Sequence, residues 1–174
     1  MKKLIIIRGP SAVGKTSVVK KLIQKLTGKV AYIPVAHTTY SLIPEDIAFA
    51  SNKLIDLMHD NADDLIRNFL NANYTVISDA IFSHSTKGQS RLDNLVQIGK
   101  TNGAKVYVFE LCADISTLKN RAKKRKRSKD ETTNYDLIDK KYSKFLKTKY
   151  EGAINIDTNK KTLNQIADEI MTYF

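Results

Sequence analysis

Short apolar runs alternate with longer stretches of helical spacing along the chain. The apolar runs occupy residues 4–7, 30–35, 74–78, 106–111 and 153–156. The run at residues 4–7 has no polar position, as is typical of a strand that a parallel sheet buries on both faces. Between these runs, apolar residues recur at helical intervals, which predicts amphipathic helices. The pattern therefore predicts an α/β fold, in which a five-stranded parallel sheet carries helices on both faces.

Helices are predicted between the strands and after the last one. They cover residues 17–26, 45–72, 89–101, 135–149 and 162–173, and a further helix runs from Ile115 into a basic segment. Within the second helix, residues 60–64 indicate a break, with Asn61 ending one helix and Asp63 capping the next. Asp114 is placed to cap the helix that begins at Ile115. The residues from His37 to Asp46 predict a polar loop after the second strand.

The length and composition bound the class of protein. A chain of 174 residues suits one domain, and we expect a single domain over 1–174 without repeats or linkers. No apolar run approaches the ~18 residues of a membrane span. Cys112 is the single cysteine, which excludes an internal disulfide, and we expect it to be a small buried hydrophobe. These features favour a cytoplasmic protein.

The segment between the first strand and the first helix has a specific chemistry. Residues 9–16 match G-x-x-x-x-G-K-[ST], the P-loop, in which glycines let the backbone curl round a phosphate. Lys15 brings charge to the β- and γ-phosphates, and the Thr16 hydroxyl can ligate Mg²⁺. We expect the nucleotide to be ATP. The predicted contacts in this segment are Gly9, Ser11, Ala12, Val13, Gly14, Lys15, Thr16 and Ser17.

The positive charge of the chain is concentrated in one segment. The net charge is +11, and eight of the eleven residues from Lys119 to Lys129 are basic. Without these eight, 21 basic residues face 18 acidic ones. The distribution favours one phosphate-binding element over a surface that is basic throughout.

Motifs elsewhere in the chain separate the classes of P-loop protein. The Asp-x-x-Gly segment and the Asn-Lys-x-Asp motif of GTPases are missing. Motor and AAA-type ATPases need longer chains and an arginine from a neighbouring subunit. The short chain and its own arginine cluster favour a self-contained phosphotransferase.

Nearly the whole chain, with the P-loop as its most diagnostic part, resembles the small P-loop kinases, in particular the polynucleotide kinase, zeta-toxin and chloramphenicol phosphotransferase group. The resemblance rests on residues 76–80, Arg91, Gly103, and Leu118-x-x-Arg121-x-x-x-Arg125. It implies a sheet with strand order 2-3-1-4-5 and a mobile, basic helical lid over about 119–134.

Several side chains are candidates for the chemistry of phosphoryl transfer. Arg121 and Arg125 share a helix face and could converge on the phosphates, with Arg127 joining from the lid. The alternative is a solvated basic helix or a localisation-like patch. Asp79, at the end of a strand, would hold Mg²⁺ through water or receive the proton of the acceptor, unless it only caps the next segment. Catalytic roles are thus predicted for Lys15, Asp79, Arg121 and Arg125.

The acceptor side is less defined. Arg91 is a candidate contact, although an ordinary surface arginine fits the pattern nearly as well. Related kinases carry an aspartate after the second strand as the base, whereas this chain has His37 there. Either His37 or Asp79 takes over that role, or the acceptor differs.

The sequence therefore predicts an ATP- and Mg²⁺-dependent kinase that phosphorylates a hydroxyl or phosphate of a small metabolite, nucleoside or nucleotide. One alternative is a polynucleotide kinase that holds RNA or DNA through Lys119–Lys129. A second is an NTP-binding regulatory or nucleic-acid-binding protein with little turnover. No membrane partner is expected, and the acceptor and oligomeric state are not predicted.

Overall fold

Five parallel strands form one central sheet, and by their order along the chain they lie 2-3-1-4-5 across it, which confirms the order implied by the resemblance. The computed structural model describes residues 1–43, 52–82, 90–124, 135–148 and 150–174. The strands are β1 Lys3–Arg8, β2 Val30–Pro34, β3 Thr75–Ala80, β4 Lys105–Cys112 and β5 Ile154–Asp157. The helices are α1 Lys15–Lys25, α2 Val35–Tyr40, α3 Asn52–Asn71, α4 Arg91–Thr101, α5 Ile115–Lys124, α6 Tyr135–Leu146 and α7 Leu163–Met171.

The central strand β1 is buried on both faces, which explains its unbroken apolar run. Leu4 and Ile6 pack in the cluster formed with α3 and α4, whereas Ile5 and Ile7 pack in the cluster formed with α1 and α7. All four side chains are completely buried. Burying each contributes about 1.5–3 kcal/mol, so β1 is fixed firmly between its neighbours.

The register of the sheet sets the carboxyl ends of three strands level with one another. Ile7 of β1 pairs with Asp79 of β3, and Asp79 pairs in turn with Pro34 of β2. The chain leaves β1 two residues after Ile7 to form the glycine loop. Asp79 is therefore brought beside that loop by strand pairing alone.

The polar loop predicted after the second strand is wrong for its first half, because residues 35–40 form helix α2. Val35 is buried in the core and holds the start of this helix against α3. The Thr38 hydroxyl donates to the Val35 carbonyl at 2.8 Å, and the Ser41 hydroxyl donates to the His37 carbonyl at 2.6 Å. Polar residues that bond to the backbone within one helical turn leave no apolar periodicity to read.

The break predicted around Asn61 and Asp63 is also wrong, since α3 runs unbroken from Asn52 to Asn71. Ala62 is completely buried in the middle of the helix. Asp63 is buried too, and it accepts a hydrogen bond from the Asn94 side chain at 2.6 Å instead of capping a helix. Packing against α4 overrides the local preference of these residues for helix ends. The start predicted for this helix, residues 45–51, lies outside the described residues.

Side chains at the helix ends account for several of the observed boundaries. Asp114 accepts a hydrogen bond from the Thr117 backbone at 2.7 Å, as expected for the cap of α5. Thr162 and Gln165 form a reciprocal capping box at the start of α7. Cys112 is half-buried at the end of β4, and burial raises the pKa of its thiol. Among the described helices, none has the length and apolar character needed to cross a bilayer.

Candidate phosphate-transfer site

The loop between β1 and α1 forms a cradle of backbone groups. Ala12 and Gly14 both have positive φ, at 66° and 105°, so the loop turns sharply and aims successive N–H groups inward. A Cβ at Gly9 would lie 2.8 Å from the Leu111 carbonyl oxygen, so only glycine fits there. Gly14 itself occupies the cap position of α1 and supplies no side-chain hydrogen bond. The first N–H groups of the helix therefore face an anion site.

The Lys15 ammonium lies over this cradle. Its Nζ donates to the carbonyl oxygens of Gly9 at 2.9 Å and Pro10 at 3.0 Å. These contacts hold a positive charge at the mouth of the loop, where a nucleotide phosphate would be bound. The position fits the role predicted for Lys15.

Asp79 lies beside the loop with its carboxylate in contact with two hydroxyl groups. The Thr16 hydroxyl is 3.3 Å from Asp79 Oδ2, and the Tyr32 hydroxyl donates to Asp79 Oδ1 at 2.7 Å. Burial, together with the hydrogen bond to Asp79, raises the pKa of Tyr32, which keeps the phenol protonated as a donor. A hydroxyl and a carboxylate next to a phosphate cradle are the hard oxygen ligands that Mg²⁺ prefers, so these residues fit that ion.

Tyr32 is a site residue that the sequence reasoning missed. It looked like one more apolar member of the second strand. Its link to Asp79 spans 47 positions and depends on how β2 and β3 pair. A strand tyrosine whose parallel neighbour ends in a carboxylate is the only signal that could have suggested the pair.

Arg121 points at the protein backbone around the loop. Its guanidinium donates to the Val13 carbonyl at 3.1 Å and to the Thr158 hydroxyl at 2.9 Å, and also to the Thr158 carbonyl. Thr158 is completely buried and its hydroxyl donates to the Cys112 carbonyl at 2.9 Å. Arg121 thus joins the P-loop to the ends of β4 and β5. Arg125 and Arg127 lie outside the described residues, so their convergence with Arg121 on the phosphates stays a prediction.

A cleft of about 550 Å³ extends from the P-loop towards α2, α3 and α6. Lys15, Thr16 and Asp79 line one end of it. His37, which is exposed on α2, and His59 of α3 line the other. The structure therefore brings the predicted acceptor residue His37 to the same cavity as the phosphate residues.

His59 was not anticipated from the sequence. Its side chain is only 8% exposed, and its ring lies 5.8 Å from that of Phe82. Burial, and after it the positive charge of Arg91, lower the pKa of His59 to about 4, although Asp56 acts in the opposite direction. The imidazole is therefore neutral at neutral pH. The signal in the sequence was a histidine on the apolar stripe of a long helix, which is commonly a core position.

Arg91 lies outside the lining of the cleft. It is buried at the start of α4 and forms an ion pair with Asp56 of α3, so it is not a surface arginine. The pair lies close enough to His59 to influence its titration. Contact between Arg91 and an acceptor stays a prediction.

Arg8, the residue before the P-loop, is a third position that sequence reasoning missed. Its side chain is 1% exposed and forms an ion pair with Glu110 at 3.2 Å. It donates to the Thr148 carbonyl at 2.6 Å, and its guanidinium lies 4.8 Å from the centre of the Phe145 ring. Arg8 therefore connects the base of the P-loop to the end of α6.

The strand order, the phosphate cradle after the central strand and the carboxylate on the neighbouring strand define the P-loop kinase-like fold. A family model described as AAA domain matches residues 4–141. The chain therefore belongs to that family. The description of this family includes the term AAA, whereas the short chain had favoured a phosphotransferase over the AAA-type ATPases. The similar solved structures include several small kinases.

Three solved structures cover nearly the whole chain. The Deinococcus radiodurans tunicamycin resistance protein is 21% identical over 99% of this chain and 95% of its own, with a TM-score of 0.65. A gluconokinase from Sinorhizobium meliloti is 16% identical over 98% and 90%, with a TM-score of 0.65. The Mycobacterium tuberculosis APS kinase, solved with AMPPNP and APS, is 16% identical over 98% and 96%, with a TM-score of 0.68. Identities this low show a common fold. No curated protein sequence matches the chain.

Proposed function

We propose that the protein is an ATP-dependent kinase that transfers the γ-phosphoryl group to a small acceptor. One observation carries the proposal: a single cleft of about 550 Å³ is lined by P-loop residues, Lys15 among them, and extends to α2, α3 and α6. The part beyond the P-loop could hold a second molecule, which a protein that only bound or hydrolysed a nucleotide would not need. The full-length likeness to a gluconokinase and an APS kinase supports the same reaction class.

Each side chain at the phosphate end has a role in this reaction. Lys15 would exchange its loop carbonyls for the β- and γ-phosphates, since the ammonium already lies at the mouth of the cradle. Thr16 and Asp79 would hold Mg²⁺, directly and through water respectively, and the bound ion neutralises phosphate charge that develops during transfer. Tyr32 keeps the Asp79 carboxylate oriented through its hydrogen bond. Either Asp79 or His37 would accept the proton of the acceptor.

The basic segment keeps a polynucleotide kinase as a second candidate function. Of its described members, Lys119 pairs with Asp139 at 2.8 Å and Arg121 bonds to the P-loop backbone. The remaining charge of Lys119–Lys129 could hold a phosphate backbone. A polynucleotide acceptor would then bind less tightly as the salt concentration rises. Binding releases counterions from the nucleic acid, and this release is less favourable into a more concentrated salt solution.

Transfer of label from γ-labelled ATP tests the proposal. The acceptor panel contains nucleosides, nucleotides, sugars and short RNA, and label is followed to product and to inorganic phosphate. Lys15→Ala should lower kcat at least about 100-fold, because it removes charge that stabilises the transition state. Lys20→Ala is the matched control, since Lys20 is exposed on the same helix outside the cleft. Label that reaches only water would show that the protein is not a kinase.

A further inference from the structure

The acceptor end of the cleft has mostly apolar walls. Beyond the phosphate residues, its lining includes Val35 of α2, Ile55 and Met58 of α3, and Phe82 after β3. Phe145 of α6 also lines the cleft. Walls of this kind gain free energy by covering apolar or aromatic surface of a ligand, and they provide no solvation for a charge.

Few of the described residues that line this end carry a positive charge. Of the described residues, none of the arginines lines the cleft, and its lysines are Lys15 at the phosphate end and Lys141, which is exposed on α6. Arg91 is near, but its guanidinium is engaged by the carboxylate of Asp56. A kinase that accepts a phosphorylated substrate needs charge to hold that phosphate, commonly a forked arginine. In the described lining, no arginine is placed to bind such a phosphate, and the nearby Arg91 is paired with Asp56.

His59 supplies a neutral polar group in the middle of these apolar walls. The imidazole is buried against Phe82 and forms no hydrogen bond with the described residues, although it lines the cleft. A neutral imidazole both donates and accepts hydrogen bonds, so it suits a hydroxyl or an amide. A pKa of about 4 makes it a weak base. Its role would therefore be to orient the acceptor and not to remove its proton.

We propose that the acceptor is an uncharged hydroxyl compound with an apolar or aromatic body, which His59 and the apolar walls hold. The inference rests on the proposed kinase function and narrows the class of its acceptor. In the reaction, the acceptor oxygen bonds to the γ-phosphorus. The bond to the β,γ-bridging oxygen breaks, ADP leaves with the electron pair, and the hydroxyl proton passes to the base in the cleft.

Paired acceptors test this assignment. Adenosine, uridine and pyridoxine are each compared with their 5′-monophosphates, both as acceptors of label from ATP and by calorimetric binding in the presence of AMPPNP. The uncharged member of at least one pair should be phosphorylated, with kcat/KM at least about tenfold above that of its monophosphate, since burying an unpaired charge is costly. A monophosphate that binds or reacts as well as its parent would overturn the inference, as would the failure of every uncharged member to bind.

Substitution of His59 gives a second readout. His59→Leu should raise KM for the uncharged acceptor about tenfold and leave KM for ATP unchanged, whereas His59→Asn should retain part of the binding because an amide also donates and accepts. Asp60→Asn is the control, on an exposed position of the same helix. An equal rise of both KM values in His59→Leu would indicate a structural role only and would contradict acceptor binding by His59.

Asp56→Asn tests the effect of the ion pair between Asp56 and Arg91 on the choice of acceptor. Removing the carboxylate leaves the Arg91 charge uncompensated near the acceptor end, so discrimination against the monophosphates should fall severalfold. Circular dichroism checks that the variant is folded, and the paired acceptors remain decisive if it is not. Label transferred to a monophosphate alone would leave the kinase proposal standing and overturn this inference. Binding of an uncharged acceptor without any transfer of label would overturn the kinase proposal and leave the inference about acceptor binding standing.

Discussion

The ion pair between Arg8 and Glu110 offers a quantitative test of how the base of the P-loop is stabilised. Glu110→Gln keeps the size of the side chain and removes its charge. It leaves the Arg8 guanidinium 1% exposed, with an Nε that already has no hydrogen-bond partner. Burial lowers the pKa of Arg8 and Glu110 opposes that shift, so losing the carboxylate makes the buried charge more costly.

The expected loss of stability follows from what Arg8 retains. Removing one partner of a buried ion pair costs about 3–5 kcal/mol. Arg8 keeps its hydrogen bonds to Thr148 and its contact with the Phe145 ring, so the lower end applies, about 3 kcal/mol. Arg8→Met should cost less, because Glu110 is 13% exposed and can be hydrated. The double variant Arg8→Met/Glu110→Leu should be more stable than Glu110→Gln, since no buried charge then remains.

Equilibrium unfolding in urea, followed by far-ultraviolet circular dichroism, measures these differences. The matched control is Glu169→Gln, which breaks the ion pair with Lys161 at 2.6 Å where both side chains are more than one-third exposed. An exposed pair contributes about 0–1 kcal/mol, so this control should hardly change the free energy of unfolding. If Glu110→Gln loses no more stability than Glu169→Gln, Glu110 does not stabilise the buried charge of Arg8, and the reasoning is refuted.

Three further predictions concern stability. The pKa of His59 is lowered to about 4, so its stabilising contribution is present above about pH 6.5 and lost as pH falls, whereas the pKa of Asp63 is raised to about 6, so its contribution is present at low pH and lost as pH rises. The two effects on the free energy of unfolding, about 3 kcal/mol each, oppose each other. Urea titrations between about pH 4 and pH 6.5 should therefore show that Asp63→Asn loses stability on acidification more steeply than the wild type. Equal slopes for the two proteins would contradict the two pKa shifts. Gly99→Ala should cost about 1–3 kcal/mol in thermal unfolding, because its Cβ would lie 2.5 Å from Val106 Cγ2, and an unchanged melting temperature would contradict this close packing. Thr162→Ala should cost about 1 kcal/mol in the same assay through loss of the capping box, whereas Thr162→Ser should retain most of it, and equal losses would argue against the cap.

The parts of the fold that the sequence predicted are those with a local signal. Residues 4–7 form an unbroken apolar run, and the glycine loop follows them directly, so strand, loop and helix could be placed from neighbouring residues. The strand order came from the resemblance to small kinases, since periodicity does not determine which strands pair. Helix α2 was missed because six residues are too few to show helical spacing.

The parts that could not be predicted depend on contacts between distant residues. Arg8 and Thr148 are 140 positions apart, Tyr32 and Asp79 are 47 apart, and Arg91 and Asp56 are 35 apart. Each pair depends on how strands and helices pack, so no spacing in the sequence indicates it.

The contrast between local signals and distant contacts explains why the P-loop end of the cleft could be predicted from the sequence and the acceptor end could not. The phosphate cradle is built from consecutive residues, whereas the acceptor end combines α2, α3, the end of β3 and α6. The presence of arginines in the sequence does not show that they bind a substrate, because Arg91 is paired with Asp56 and Arg121 bonds to the backbone around Val13. Positive charge that binds the protein itself is not available to a substrate. For the proposed kinase, acceptor chemistry is therefore better judged from the partners of each arginine than from its presence in a motif.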